Sequence, residues 1–216
     1  MIALWTAAAL AAKPIEVPLD IGVGPAVHLV TGPVFRDRPL HTGLVFSAAA
    51  VIDKKTIRRN RRRIPARYRK AAMQVDEIRI SHPLIPRTIW ISPAVGGATT
   101  GMYGIQFRPL GIGVPLVSDG VRLDVSAGVV LAYAYLHSQT LPSPTHFLRP
   151  GIDPGITLEI PFTDRFLMSV GWKSQLYVPQ PVGGSILEVG PLQDAIWHIG
   201  QGFVKVHVRS PIKVRL

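Results

Sequence analysis

The chain has 216 residues, a formal net charge of +11 and no cysteine, which excludes disulfides and thiolate metal sites. Its mean hydropathy is positive (+0.27), yet no run of about 18 uncharged apolar residues follows the N-terminus, so the sequence predicts no transmembrane helix there. Twenty glycines and twenty prolines predict many turns and disfavour an all-helical fold.

The N-terminus is a short apolar run that ends in the small-x-small pattern Ala9-Leu10-Ala11. Such a run resembles the apolar region and cleavage site of a secretory signal, although no basic residue precedes it. We therefore predict a signal peptide over residues 1–11 and a single β-barrel domain over residues 12–216. The alternative is an ordinary apolar N-terminal segment.

Two alternating segments follow, at residues 15–30 and 43–52. In the first, apolar residues from Ile15 to Leu29 share one face, and Asp20 and His28 share the other. Because successive side chains of a strand point to opposite sides, each segment predicts a two-faced β-strand.

A basic insert, residues 54–73, separates these strands from the rest of the chain. Its first part, residues 54–70, holds ten of the 24 basic residues and no acidic residue, so the remainder of the protein is almost neutral. Apolar residues recur in it at helical spacing, which predicts a basic amphipathic helix broken at Pro65. The predicted contacts to anionic lipid or another polyanion are Lys54, Lys55, Arg58, Arg59, Arg61, Arg62, Arg63, Arg67, Arg69 and Lys70. A solvated charged loop is the alternative.

The weakest predicted strand covers residues 76–92, where Pro83 and Pro86 interrupt the pattern. Ile78, Ile80, Leu84 and Trp90 share one parity there. A strand running in this direction is needed between the inward strand at 43–52 and the next inward strand at 101–117.

Residues 121–138 carry the clearest alternation. Apolar residues from Val121 to Leu131, followed by Tyr133 and Tyr135, form one face, whereas the other face is charged at one end and small along the rest. In a soluble barrel the apolar face would be the core; in a membrane barrel it would face lipid.

Three further strands, at 156–162, 166–178 and 204–216, bring the predicted number to eight. Short connections at Ser118-Asp119-Gly120 and Thr163-Asp164-Arg165 alternate with longer segments at 138–150 and 180–195. An even number of strands with short turns on one side and longer loops on the other is typical of outer-membrane barrels, with both termini in the periplasm.

The polar face is sparsely charged and rich in small residues, which suits the narrow interior of an eight-stranded barrel. Aromatic residues on the apolar face fall at two heights and predict two girdles at the membrane surfaces. The proposed girdle residues are Trp90, Tyr133, Tyr135 and Tyr177 at one height and Phe162 and Phe166 at the other.

In these features the chain resembles the small eight-stranded bacterial outer-membrane barrels, the OmpA-like and OmpX-like group. The segment KVHVRSPIKVRL at 205–216 looks like the C-terminal strand that the barrel-assembly machinery recognises, although Leu216 stands in place of a terminal aromatic. The resemblance implies an all-β, antiparallel up-and-down transmembrane β-barrel of about eight strands, located in the bacterial outer membrane, with one basic helical insert.

Charged residues on the inward parity predict a network of pairs inside the barrel, because unpaired charges in a narrow interior are costly. They are Glu16, Asp20, Arg108, Arg122, Asp124, Glu159, Lys173, Lys205 and Arg209. A selective ion path through them is the alternative, and we expect Arg122 to pair with Glu159 or Asp124.

No phosphate loop, zinc-protease motif or carboxylate pair at a recognisable spacing is present, and His137-Ser138, adjacent on a strand, suits catalysis poorly. We therefore predict a monomer in a lipid bilayer, without enzymatic activity, cofactor or metal, with a structural, lipid-interacting or partner-binding role. The alternatives are a soluble β-barrel that binds nucleic acid or another polyanion through residues 54–70, and an outer-membrane lipid-modifying enzyme.

Overall fold

The computed structural model describes residues 15–32, 40–74, 76–92, 100–117, 120–138 and 145–214. Over these residues the chain forms ten β-strands and two short α-helices. The strands are β1 (Ile15–Thr31), β2 (Leu40–Asp53), β3 (Glu77–Ser81), β4 (Pro86–Ser92), β5 (Thr100–Val117), β6 (Arg122–Ser138), β7 (Thr145–Ile152), β8 (Gly155–Pro161), β9 (Phe166–Pro181) and β10 (Ala195–Val214), and the helices are α1 (Lys54–Arg59) and α2 (Ala66–Gln74).

The ten strands make eight crossings of one closed antiparallel sheet. β3 and β4 together form one crossing between β2 and β5, and β7 and β8 together form another between β6 and β9. The ring closes where β1 pairs with β10, from Ile15 opposite Val214 to Thr31 opposite His198. The predicted eight-stranded up-and-down barrel is confirmed, including the weak strand at 76–92.

Both described ends of the chain, Ile15 and Val214, lie at one end of the barrel, here called the terminus end. The short turn at residues 162–165 also lies at the terminus end, as do α1 and α2, which connect β2 to β3. Apart from this helical insert, the longer connections join strands at the other end of the barrel, here called the loop end. Among the described residues no helix is long and apolar enough to span a membrane.

The faces of the barrel are those of an inside-out protein. Along β6, Val125 and Val129 expose 41% and 46% of their surface, whereas the neighbouring Val130 is fully buried. The same alternation runs around the ring, so that the exterior is apolar and the interior, here called the lumen, is largely polar. Tyr133 and Tyr135 lie outside near the loop end, and Phe162 and Phe166 lie outside near the terminus end.

The girdle prediction is wrong for Trp90 and Tyr177, because both side chains are buried in the lumen. The interruption between β3 and β4 and the irregular register at Pro86–Thr88 change the inward parity, from odd positions such as Arg79 to even positions such as Trp90. Tyr177 shares the inward parity of Lys173 on β9, so strand periodicity itself places it inside.

A boundary also differs from the sequence prediction. The predicted long loop at 138–150 contains the start of β7 at Thr145, and β7 and β8 are separated only by Asp153 and Pro154. Pro154 interrupts the hydrogen-bond ladder between β7 and β8, so this crossing consists of two short strands. The apolar alternation predicts the second of them, at 156–162, and does not predict the first, at 145–152.

The lumen is divided along its length. Its terminus half holds the ion pairs, and its loop half holds an apolar cluster, here called the plug, with buried polar side chains such as Gln106, Gln180 and Arg149 beside it. The plug comprises Val30, Trp90, Met102, Val130, Ala132, Ala134, Leu136, Phe147, Tyr177, Ile196 and Ile199.

Candidate functional site: the charged lumen and the basic insert

Most of the charged residues predicted for the lumen are brought together there. Six are buried, and Arg122 and Arg209 are half-buried at the terminus end. Glu16 pairs with Lys213 in the β1–β10 ladder, but its side chain lies outside the described part of the structure. The six buried residues are Asp20, Arg108, Asp124, Glu159, Lys173 and Lys205.

Arg79 is the centre of the ion pairs near the terminus end. Its guanidinium donates two hydrogen bonds to Glu159, one of them at 2.7 Å from Nη2 to Oε2, and its Nε donates to Glu77 Oε1 at 2.7 Å. Asp124 Oδ2 lies 3.8 Å from Nη1 of the same guanidinium. A forked guanidinium matches carboxylates in this bidentate way, which a lysine could not do.

The predicted pairing of Arg122 with Glu159 or Asp124 is wrong. Arg122 lies opposite Glu159 in the β6–β8 register, yet its Nη1 donates to Glu77 Oε2 at 3.2 Å. Glu159 is already engaged by Arg79, so Arg122 turns to the carboxylate on β3.

A second group of charges lies deeper in the barrel, around Asp153. Arg108 Nε lies 2.9 Å from Asp153 Oδ1, and Lys173 Nζ lies 3.4 Å from Asp153 Oδ2. Gly111 and Gly128 make room for Arg108, because a Cβ at either position would collide with its side chain. Two glycines on neighbouring strands thus let a guanidinium lie against the barrel wall.

A small cavity of about 50 Å³ remains among these charges. Side chains of both groups line it, including Arg79, Arg87, Arg108, Lys173 and Lys205. A volume of this size holds a few water molecules, since one water needs roughly 10–15 Å³ of such space.

Asp20, His207 and Ser169 form a hydrogen-bonded chain across β1, β10 and β9. His207 Nδ1 lies 2.6 Å from Asp20 Oδ1, and His207 Nε2 lies 2.7 Å from Ser169 Oγ. The order and distances are those of a nucleophilic serine with its histidine and carboxylate.

Three observations speak against hydrolysis by this triad. Ser169 is fully buried and does not line the cavity. Arg209 occupies the second oxygen of Asp20 at 3.3 Å. Ser169 and Lys205, its register neighbour, lie inside a regular β9–β10 ladder that leaves no pair of backbone N–H groups free to stabilise an oxyanion. The triad therefore acts as a hydrogen-bonded support for buried Asp20.

The rim pair His137-Ser138 forms no comparable arrangement. His137 stacks on Tyr103 with ring centroids 5.8 Å apart, and the side chain of Ser138 lies outside the described part of the structure. His146 stacks on Tyr133 and lies 2.9 Å from its hydroxyl oxygen. These aromatic and imidazole rings line the outer face near the loop end, where amphipathic rings suit the boundary between lipid and water.

The basic insert is attached to the barrel mainly through α1. Asp53 caps α1 by accepting a hydrogen bond from the Thr56 backbone N–H at 2.7 Å, and Thr56 and Ile57 are buried. Helix α2 buries no residue, and Pro65 separates it from the preceding turn. Tyr68 is half exposed and lies beneath the Arg67 guanidinium.

The predicted contact residues of the insert are directed mainly to solvent. Arg69 is half-buried and donates to the Ile64 carbonyl at 2.8 Å, Lys54 pairs with Asp76, and the side chain of Arg63 lies outside the described part. The exposed members are Lys54, Lys55, Arg58, Arg59, Arg61, Arg62, Arg67 and Lys70.

The sequence pattern does not predict several of the charged residues that lie in the lumen. Glu77 and Arg79 have the parity opposite to Ile78 and Ile80, so the signal existed but was hidden by the two prolines of that segment. Arg87 lies at the irregular register that follows, where counting by twos fails. Asp153 lies at the β7–β8 interruption, which no local pattern marks.

No protein-family model matches the chain, and no curated protein matches it. Solved structures that are similar to it are Neisserial surface protein A (NspA) and Ail, the attachment invasion locus protein of Yersinia pestis. NspA shares 12% identity at a TM-score of 0.49, with 88% of this chain and 96% of that one covered. Ail shares 11% identity at a TM-score of 0.45, with 90% and 99% covered.

The N-terminal β-barrel domain of Pseudomonas aeruginosa OprF is also similar, with 12% identity, a TM-score of 0.39, and 92% of this chain and 99% of that one covered. All three are small outer-membrane β-barrel proteins, the group that the alternating strands resemble.

Proposed function

We propose that this chain is an outer-membrane β-barrel protein that holds a basic insert at the periplasmic face of the membrane. Its role is structural or interactive: the barrel anchors the protein, and the insert contacts anionic lipid headgroups or an anionic polymer of the envelope. The observation that carries the proposal is the apolar exterior around a charged lumen.

A lipid environment is the one solvent that suits both faces. Exposed leucine, isoleucine and valine side chains cover the outside of every crossing, whereas ion pairs and glutamines fill much of the inside. A soluble barrel would need the reverse arrangement to gain stability from burying apolar surface. The soluble polyanion-binding alternative is disfavoured for this reason.

Cell fractionation tests the location. We expect the protein in the outer-membrane fraction, with a gel mobility that changes on heating, because a closed barrel resists detergent until it is boiled. Recovery as a soluble monomer without detergent would contradict the proposal.

Orientation supports the role of the insert. Short turns and both described chain ends share the terminus end, which in bacterial barrels faces the periplasm. There the exposed arginines of α1 and the following turn meet the headgroups of the inner leaflet. Each basic residue near an anionic surface contributes about 1 kcal/mol to binding.

Vesicle binding by the basic insert tests this role. Replacing Arg58, Arg59, Arg61, Arg62 and Arg63 together with Gln should leave heat-modifiable mobility unchanged and weaken binding to anionic vesicles, by more at low salt than at high salt. The experiment uses protein in detergent-solubilised form, titrated with phosphatidylglycerol vesicles and with zwitterionic vesicles as the comparison.

An exposed basic residue far from the insert in sequence, Arg165, provides a control: its replacement with Gln should change binding little. Equal binding by the five-residue variant and the unaltered protein would favour a solvated loop. Strong salt-sensitive binding to nucleic acid by protein recovered from the cytosol would favour the soluble alternative.

A further inference from the structure

The lumen holds more basic than acidic side chains. Among the described residues of its terminus half, seven cations face five carboxylates, and one further buried cation, Arg149, lies in the loop half. The cations are Arg79, Arg87, Arg108, Arg122, Lys173, Lys205 and Arg209, and the carboxylates are Asp20, Glu77, Asp124, Asp153 and Glu159.

The two cations without a carboxylate partner are Arg87 and Lys205. Each is buried, and neither has a carboxylate within 4 Å in the described part of the chain. Lys205 Nζ instead lies 4.7 Å from the centre of the Phe203 ring. Each of the five carboxylates lies within 4 Å of another cation, although Asp124 Oδ2 accepts no hydrogen bond and lines the same cavity as Asp20 and Glu159. Five carboxylates still leave two of the seven cations without a counter-charge.

Two buried hydrogen-bond donors near these cations also lack an acceptor. Arg87 Nε and Arg108 Nη2 are buried without a partner. Both side chains line the small cavity, together with Lys173 and Lys205. Burying a cation with an unsatisfied donor is costly, and nearby polar space filled by a counter-ion removes that cost.

A wider mouth of about 400 Å³ lies at the terminus end of the barrel. Its charged lining residues are Arg122, Glu159, Asp164 and Arg209, and Glu159 also borders the inner cavity. The plug occupies the loop half, so the inner cavity lies nearest to solvent at the terminus end.

We propose that the lumen binds a small inorganic anion between Arg87, Arg108, Lys173 and Lys205. The volume fits chloride with a water molecule or a single phosphate-sized oxyanion, and the donors are nitrogen groups of the kind that hold both. The bound anion completes the charge balance of the barrel interior. This inference needs the barrel fold and is independent of the role of the basic insert.

Thermal unfolding in detergent micelles tests the site. The midpoint is followed in sodium gluconate, sodium chloride and sodium phosphate at equal ionic strength and pH, in the variant with the five insert arginines replaced by Gln, which removes the competing exposed cluster. A ligand that binds only the folded state raises the midpoint as its concentration rises. We expect a rise with chloride, phosphate or both relative to gluconate, and the larger rise identifies the anion.

Arg87→Met and Lys205→Met, made in the same background, provide the specific readout. Each removes one unpaired cation, so each should fold in gluconate with a midpoint at least equal to that of its background and should lose most of the anion-dependent rise. Arg165→Met, at an exposed turn, is the control and should keep the rise.

Diffraction from crystals grown with bromide gives a second readout on the protein with Arg87 intact. We expect an anomalous peak inside the lumen beside the Arg87 guanidinium. Equal midpoints in the three salts, or a rise that persists in Arg87→Met and Lys205→Met, would each overturn the proposal, as would a lumen without a bromide peak if chloride gives the larger rise. Equal midpoints would indicate that the surplus is removed by loss of a lysine proton, whereas a persistent rise would place the bound anion elsewhere.

Discussion

Several buried charges in this barrel are held by partners on other strands. Asp20 on β1 is held by His207 and Arg209 on β10, and His207 is held in turn by Ser169 on β9. Such a chain rigidifies the carboxylate because both of its oxygens have hydrogen-bond partners. A reactive serine would need the opposite condition, an exposed oxygen next to open space.

The reactivity of Ser169 can be measured directly. A fluorophosphonate probe should fail to label Ser169 in the folded protein, because its hydroxyl is buried and borders no cavity. Ser169→Ala should lower the free energy of unfolding by about 1 kcal/mol, the net contribution of a buried hydrogen bond. Labelling that is lost in both Ser169→Ala and His207→Gln would instead reveal a working nucleophile.

Among the strands, the interrupted crossing formed by β3 and β4 shows how one irregularity redirects a whole element. Pro83 and Pro86 cannot donate to the ladder, so pairing stops after Ser81 and resumes at Pro86 with a changed register. Arg79 and Trp90 therefore both point inward despite their opposite parity. The uninterrupted strand β6 keeps one parity throughout.

The two faces of β6 can be distinguished with single cysteines in this cysteine-free chain. A fluorophore at Val125, Val129 or Leu131 should be quenched by brominated lipid, because each of these side chains is exposed on the apolar exterior. A fluorophore at Val130, buried in the plug, is the matched control and should be shielded or should disrupt assembly.

A second variant avoids reliance on bulky labels. Val129→Arg should destabilise the barrel by about 2–4 kcal/mol if Val129 lies near mid-membrane. Three exterior positions shielded from both lipid and water would mean that the apolar face is a core, which would contradict the membrane assignment.

Taken together, the strands enclose a lumen that is charged in one half and apolar in the other. Trp90, Met102 and Phe147 pack in the plug with small residues of β6, and Phe147 meets Tyr177 edge to face with centroids 5.3 Å apart. The packed rings of the plug leave little room for a hydrated ion, and the Gln106 amide and the Tyr177 hydroxyl beside them already hydrogen-bond to each other. The selective ion path that the sequence left open is therefore disfavoured.

Planar-bilayer recording tests the closed lumen. The unaltered barrel should give no stepwise conductance, whereas Phe147→Gly combined with Trp90→Gly should give small steps, because two of the three aromatic side chains of the plug are removed. The variant must first pass the heat-modifiability assay, so that any current comes from a folded barrel. Steps of equal size from both proteins would show that ions bypass the plug.

The sequence by itself determined the number of crossings, their direction and the inward or outward side of nearly every residue on the uninterrupted strands. Strand periodicity is a local property of the backbone, so Val125 and Val129 could be assigned to one face and Asp124 to the other from spacing alone. The basic insert could also be predicted from the sequence, because charge density and helical spacing are local properties of the chain.

Only the tertiary structure decided which charges pair, where the parity changes and what fills the lumen. Arg122 pairs with Glu77 instead of its register neighbour Glu159, because Glu159 is bound by Arg79 from another strand. Asp153, at a strand interruption, holds Arg108 and Lys173 from two other strands. Such contacts depend on the closure and stagger of the whole ring, which bring together side chains that are distant in sequence and that no local pattern relates.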